Sequence, residues 1–181
     1  MGNVGTRLAR AGVHRVLGNR SWVQGHLTSF AASTNPQRVL EIGSGKAEGG
    51  EYVYSMRPLF PGAADFVMTD INPDFGHDVL DVTTFEVDEP FDAILCISVL
   101  EHLPEPRKAI ERLHAAVRPG GTVVMGVPFA YPLHDEPADF WRFTEHGLRL
   151  LMEPLFDVDL HRRGPRQFPS GLLAFAKRPE G

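Results

Sequence analysis

The run VLEIGSGKAEGG, residues 39–50, constrains this chain more than any other stretch. An apolar, strand-like segment meets a carboxylate, Glu41, and four of the eight residues after Ile42 are glycine. Glycine tolerates positive φ and admits a neighbour where a Cβ would stand in the way. A glycine-rich bend between a strand and a following helix is where α/β sheets cradle nucleotide-like ligands. This bend is not a phosphate loop, because Lys46 is followed by Ala47 rather than Ser or Thr. Nor is it a dinucleotide fingerprint, since Gly43-x-Gly45-x-x-Glu48 breaks the third glycine position. A pyrophosphate ligand is disfavoured, and taken alone the bend also suits a plain tight connection.

The rest of the chain sets that bend in a repeating context. SWVQGHLTSFAAS (21–33) reads as a short helix with Trp22, Leu27 and Phe30 inward, ended by Asn35-Pro36. RVLEIG is a short apolar strand, and EGGEYVYSMRPLF a helix closed by Pro58 and Pro61. ADFVMTDI and DVLDVT supply two more strands. FDAILCIS is a continuous apolar run, as a central strand covered on both faces requires. Leu103 to Val117 has Ile110, Leu113, Ala116 and Val117 at helical spacing, and RPGG stops it. TVVMGVP is the fifth strand, Thr144 caps a helix through about Met152, and LFDVDLH and GLLAFAKR form a final hairpin. Strands alternating with helices imply a doubly wound, mostly parallel α/β sheet, here of seven strands with an antiparallel final hairpin. Residues 1–36 are expected to be a basic, helical N-terminal lead and residues 37–181 the domain proper.

Size and charge narrow the classes. The 181 residues suit one domain, and no apolar run reaches the roughly 18–20 residues of a membrane span. The single cysteine, Cys96, fits a reducing compartment, so a cytoplasmic location is expected. Within AILCIS it reads as a buried strand thiol rather than a nucleophile. A net charge of -5 argues against nucleic acid. Residues 1–40 nevertheless hold Arg7, Arg10, Arg15, Arg20 and Arg38 and no acid. That is the composition of a transit peptide or of a basic helix packed over the domain, and the second is the expectation.

Two further acids close strands. Asp70 ends FVMTD, at the distance past the glycine bend where an acid binds ribose hydroxyls in dinucleotide folds. A carboxylate accepts two hydrogen bonds, and a vicinal diol offers two. Asp81, in VLDVT, is placed to accept from an adenine amino group. With these motifs in order, residues 38–152 resemble the class I S-adenosylmethionine-dependent methyltransferases. VLEIGSGKAEGG is similar to that family's first motif, TDI and LDV to its second and third acidic positions, and FDAILCISVLEHLPEPRKAIERLHAAVRPGGTVVMGVPF to its fourth strand through its fifth. YPLHDEPADFWRFTEHGL further resembles a bacterial subgroup marked by a P-H…P-x-D-[FY]-W-R-[FY]-T segment. The resemblance implies a Rossmann-like methyltransferase sheet and S-adenosyl-L-methionine as cofactor. Gly43, Ser44 and Gly45 would pass beside its methionine portion, with Glu41 holding the turn. Asp70 would bind the ribose, Ile71 would lie against the adenine, Asp81 and Val82 would border the adenine edge, and Ile97 and Ser98 would face the sulfonium. Only ten residues separate Asp70 from Asp81, and INPDFGHDVL reads as a loop, so the helix usual after the second strand is expected to be missing. The sheet face left bare there would be patched by the N-terminal segment or used in a homodimer.

Methyl transfer needs a base only where the acceptor arrives protonated. His134, in the loop after the fifth strand, is the first candidate, oriented by Asp135 or Asp139; a histidine that merely pins the loop is the alternative. His102, after Glu101 in VLEHLP, is the second candidate, against a role in opening a helix. Trp141 and Arg142 either shape a substrate site or pack the loop and pair with an acid. His134, Asp135, Glu136, Asp139 and His146 make only a loose His/carboxylate group without H-E-x-x-H spacing, and no metal is expected. No G-x-S-x-G elbow is present. The reading is a methyltransferase acting at oxygen or nitrogen of a small-molecule acceptor, with sugar-linked and secondary-metabolite acceptors as candidates, without nucleic-acid or membrane partners. The rivals are a module that binds S-adenosylmethionine or its product without turnover, and another enzyme on the same fold.

Overall fold

The structure, a computed structural model, describes residues 19–46 and 54–181. Seven strands form one sheet in the order β3-β2-β1-β4-β5-β7-β6. They are β1 (Arg38–Ile42), β2 (Asp65–Asp70), β3 (Asp78–Val79), β4 (Phe91–Ile97), β5 (Val117–Pro128), β6 (Asp157–Arg163) and β7 (Gly171–Lys177). β1 through β5 are parallel, whereas β7 runs antiparallel to both β5 and β6. The central strands are apolar without a break because both faces are covered, and Ala93, Ile94, Leu95 and Cys96 of β4 are fully buried. Burial, with Glu101 nearby, pushes the Cys96 thiol well above its ordinary range, as an inert interior cysteine requires.

Helices α2 (Pro106–Ala116) and α3 (Glu145–Met152) cover one face. Ala109, Ile110, Leu113, Leu148 and Met152 interlock there with Leu40, Ile94, Val123 and Met125. Proline opens α2 where its missing N–H costs nothing. Thr144 caps α3 by accepting from the Gly147 N–H at 3.0 Å. The other face carries α1 (Asn19–Thr34), whose Val23 and Leu27 pack with Val39, Leu95, Val124 and Leu173. Phe30 meets the rings of Phe175 and Phe60, and Phe60 meets Phe66, so the cover reaches β2. α1 thus covers the middle of this face and Phe60 extends the cover to β2, while Val79 on the short edge strand stays 61% exposed. Of the basic lead expected over residues 1–36, residues 1–18 lie outside the described residues.

Three expected elements are corrected. Of the helix expected over 48–60, residues 48–53 lie outside the described residues; from Tyr54 on there is a turn and then a short 3₁₀ turn, Arg57–Leu59. The Ser55 hydroxyl and the Met56 N–H both donate to the Glu41 carboxylate, and Pro58 has no N–H, so an α-helical ladder cannot form there. DVLDVT shrinks to a two-residue strand because Asp81 captures the Thr83 N–H and hydroxyl and turns the chain away. The helix ends at Ala116, just before RPGG, but RPGG itself lies within β5 rather than in a turn between helix and strand. β5 begins at Val117 directly after α2, and Gly120 (φ 72°) and Gly121 exchange backbone hydrogen bonds with Arg178. Between Asp70 and Asp81 only a 3₁₀ turn, Pro73–Phe75, replaces the missing helix.

At the amino ends of the strands Asp92 acts as a staple. Its Oδ2 accepts from the N–H groups of Gln37 and Arg38, both at 2.8 Å, and its Oδ1 from Arg118 Nε at 2.6 Å. Replacing Leu27 by alanine removes the buried centre of α1 and is expected to lower unfolding stability by about 2–4 kcal/mol in urea. A change below about 0.5 kcal/mol would mean that α1 is not docked as described.

Candidate functional site

The carboxyl ends of β1, β2 and β4 stop level with one another. Ile42 pairs with Thr69 on one side and Cys96 on the other, so Gly43, Asp70 and Ile97 share the next row. Sheets of this kind leave a crevice there. Gly43 and Gly45 have φ of 77° and 70°, which L side chains rarely adopt. A Cβ on Gly43 would stand 2.6 Å from Val99 Cγ2, and one on Gly45 3.2 Å from Tyr54 Cβ. The bend is therefore bare for packing reasons as well as for any ligand.

Two buried carboxylates hold it. Glu41 accepts from Ser44 Oγ (2.9 Å), Ser55 Oγ (2.6 Å) and Met56 N (2.6 Å). Asp70 accepts from Gly45 N at 2.9 Å and from Asn72 N at 3.0 Å. The Gly43 and Ser44 N–H groups both reach the Thr69 carbonyl at 3.0 Å, and His77 Nε2 sits 2.9 Å from the Gly45 carbonyl. Glu41, Gly43, Ser44, Gly45 and Asp70 thus form one hydrogen-bonded crescent. Ser55, Met56 and His77 complete it; nothing in the sequence marked them, because their partners lie 14 to 32 residues away. Arg20, at the start of α1, lies over the Tyr54 ring at 5.5 Å, and burial lowers its pKa against the pull of Glu41.

Ile71, next to Asp70, is 63% exposed and forms an apolar shelf beside the crescent. Ser98 is exposed and held at φ 55°, with its N–H on the Gly126 carbonyl at 2.9 Å. Such strain in a non-glycine residue persists only where the surroundings over-determine it. Ile97 packs on Gly126, where a Cβ would come within 3.0 Å of its Cγ2. Asp81 is exposed, with Oδ1 engaged by Thr83, and these hydrogen bonds hold its pKa down. Val82 is buried in the core face carrying Leu40 and Phe91.

A second cluster stands just past β4. A 3₁₀ turn, Leu100–His102, places Glu101 inside and His102 at the surface. The loop after β5 docks on it: the N–H groups of Phe140 and Trp141 reach the Glu101 carbonyl at 2.9 and 3.2 Å, and Trp141 Nε1 donates to the Leu103 carbonyl at 2.8 Å. Asp139 receives both arms of Arg142, at 2.6 and 2.7 Å, and the His134 N–H at 3.0 Å. The Arg142 pair holds the Asp139 carboxyl far below its ordinary range. Asp139 therefore positions His134, while Asp135 is exposed and His146 lies on α3. His134 and His102 meet edge-on with ring centroids 4.8 Å apart. His134 Nε2 is 3.7 Å from Glu101 Oε1 and His102 Nε2 is 3.9 Å from it. Glu101, facing His134 beyond hydrogen-bond length, raises the histidine pKa, and Asp139 adds to that against the cost of burial. Glu101 is the member of this site that sequence reasoning overlooked.

Known proteins show the same framework. A methyltransferase-domain family profile matches residues 14–158. The ubiquinone biosynthesis O-methyltransferase of Paraburkholderia phymatum is 30% identical over 116 residues, covering 56% of this chain and 47% of that protein. The tRNA U34 carboxymethyltransferase of Nautilia profundicola is 25% identical over 120 residues, covering 59% of this chain and 39% of that protein. The chain thus spans less than half the length of either. The crystal structure of the N-methyltransferase NodS from Bradyrhizobium japonicum WM9 superposes with a TM-score of 0.65 at 22% identity, covering 90% of this chain and 96% of NodS; another NodS structure holds S-adenosyl-L-homocysteine. The sheet order, with its antiparallel β7 between β5 and β6, and a profile match over most of the chain give one conclusion: the chain belongs to the methyltransferase-domain family, among the class I S-adenosylmethionine-dependent methyltransferases.

Proposed function

We propose that this chain transfers a methyl group from S-adenosylmethionine to oxygen or nitrogen of a small-molecule acceptor. The observation that carries the reading is the crescent of Gly43, Ser44 and Gly45, held between Glu41 and Asp70. The residues there fit the cofactor. Each Asp70 oxygen accepts one backbone N–H and keeps a lone pair for a sugar hydroxyl. The exposed face of Ile71 suits an adenine ring, with Asp81 and Val82 proposed at its edge. Gly43 and Gly45 leave the main chain open to the methionine portion, and Ile97 and Ser98 face the sulfonium side. Once bound, the cofactor supplies an electrophilic methyl on a sulfonium.

The protein's own part is alignment and proton management. His134 and His102 are proposed to face the acceptor's exchangeable proton, with Asp139 fixing the His134 ring. Leu133, Phe140 and Trp141, all well exposed, line the same loop and suit an acceptor with an apolar body. The acidic balance of the chain supports a small molecule rather than nucleic acid. No helix among the described residues is long and apolar enough to cross a membrane.

Titration with S-adenosylmethionine should raise the thermal midpoint, by the equivalent of about 2.7 kcal/mol at one hundred times Kd; no stabilisation at saturation would remove the proposal. Asp70→Ala is expected to weaken cofactor binding by about 1–3 kcal/mol in calorimetry, and unchanged affinity would contradict the ribose assignment. His134→Ala should keep cofactor affinity and slow turnover about 100-fold or more. Near-normal turnover would leave His134 as a loop-pinning residue.

A further inference from the structure

One imbalance past β4 is not used up by cofactor binding. Glu101 is fully buried, and neither of its carboxylate oxygens has a hydrogen bond among the described residues. Buried carboxylates are paired or coordinate metals. Arg142 acts on Glu101 only at a distance, because both arms of its guanidinium are taken by Asp139. What faces Glu101 instead is two imidazole nitrogens, Nε2 of His134 and Nε2 of His102.

The other nitrogen of each ring is already committed. His102 Nδ1 lies 2.7 Å from the Ala138 carbonyl oxygen. His134 Nδ1 lies 3.2 Å from the Pro132 carbonyl oxygen and 3.3 Å from Asp139 Oδ2. Carbonyl and carboxylate oxygens cannot donate, so a neutral ring carries its proton on Nδ1 in both cases. Both Nε2 atoms then turn lone pairs toward the Glu101 carboxylate. With both rings neutral, three electron-pair donors converge, one from each residue and all within 4.8 Å of one another. Holding the far nitrogen of a histidine on a carbonyl or carboxylate is how proteins orient metal-ligating imidazoles.

We propose that Glu101, His102 and His134 bind a divalent transition-metal ion, zinc or a metal of similar preference, with a fourth position open toward the acceptor. Two imidazoles and one carboxylate with an open position are a catalytic zinc ligand set. Ligands of an occupied tetrahedral site stand about 3.3 Å apart, so the groups must close in by roughly 0.5–1.5 Å. Small rotations of the two histidines, whose side chains are 21% and 22% exposed, supply that movement, and they also give the ion its way in. The sequence alone predicts no metal, because the His/carboxylate group of residues 134–146 is loosely spaced; Glu101 lies 33 residues before His134 and meets it only through the docked loop. For its purpose the inference rests on this end being the acceptor side. There the ion would hold the acceptor atom and ease loss of its proton, and the histidines would serve as ligands rather than take that proton themselves.

The test uses the full chain, stripped with a chelator and titrated with Co²⁺ and Zn²⁺ in the absence of cofactor and acceptor. One ion per chain is expected, with visible absorption bands of four- or five-coordinate cobalt that zinc abolishes. His102→Ala and Glu101→Gln should each weaken binding by about 100-fold or more, with folding checked by circular dichroism, whereas His146→Ala on α3 should leave it unchanged. Wild-type protein that takes up no ion at micromolar concentration overturns the proposal, and so does binding that survives both Glu101→Gln and His102→Ala. Stabilisation by S-adenosylmethionine, followed separately, reports on the cofactor site alone, so failure of one reading is distinguishable from failure of the other.

Discussion

The site depends first on a buried carboxylate that need touch no ligand. Glu41 is 5% exposed and ends the first strand inside the protein, where an unpaired charge costs far more than one hydrogen bond returns. Three donors offset that cost, and they come from two different segments, Ser44 on one side and Ser55 and Met56 on the other. The carboxylate thereby closes a loop of the chain on itself and fixes where the bend between Gly43 and Gly45 can lie. Asp70 repeats the device one strand away, gripping Gly45 N while keeping lone pairs free. The cradle is preorganised by its own protein contacts, which removes part of the ordering cost of binding.

The two ends of the sheet are built to opposite purposes. At the amino ends Asp92 ties β1 to the start of β5, and Arg38 adds ion pairs to Asp65 and Glu89. These pairs are partly exposed and contribute little individually, but the Gln37 and Arg38 N–H groups that Asp92 engages would otherwise lack partners. At the carboxyl ends the chain keeps positive φ at Gly43, Gly45 and Ser98 and leaves Ile71 in solvent. Strain and exposed apolar surface sit at the end where cofactor binding is proposed, and saturated polar staples sit at the other end.

Much of this was legible in the sequence, for physical reasons. The central strands could be read because burial on both faces demands unbroken apolar runs, and α2 and α3 because their inward residues recur at helical spacing. Glu41, Gly43 and Asp70 could be placed because a strand end fixes the row on which the next residue falls. What could not be read depends on partners distant along the chain. The helix expected over 48–60 gives way from Tyr54 on because Glu41 takes the donors of Ser55 and Met56. The third strand ends early because Asp81 prefers Thr83 to the ladder. His77 and Glu101 carry no local signal, since what matters is the Gly45 carbonyl for one and His134 for the other.

Glu101 concentrates the remaining tension in the fold. Its main-chain carbonyl is doubly satisfied, by the N–H groups of Phe140 and Trp141, so the loop after β5 is anchored on this residue. That anchoring brings His134 over the Glu101 side chain, and the Asp139–Arg142 pair then keeps the nearest guanidinium from neutralising it. A chain selected for stability alone would put an apolar residue at this buried position, or let Arg142 turn inward. Instead the docked loop keeps an uncompensated carboxylate beside two imidazoles, at the end of the strand that also carries Ser98. The arrangement lowers stability locally, and its product is a pole rich in electron pairs just past the end of β4.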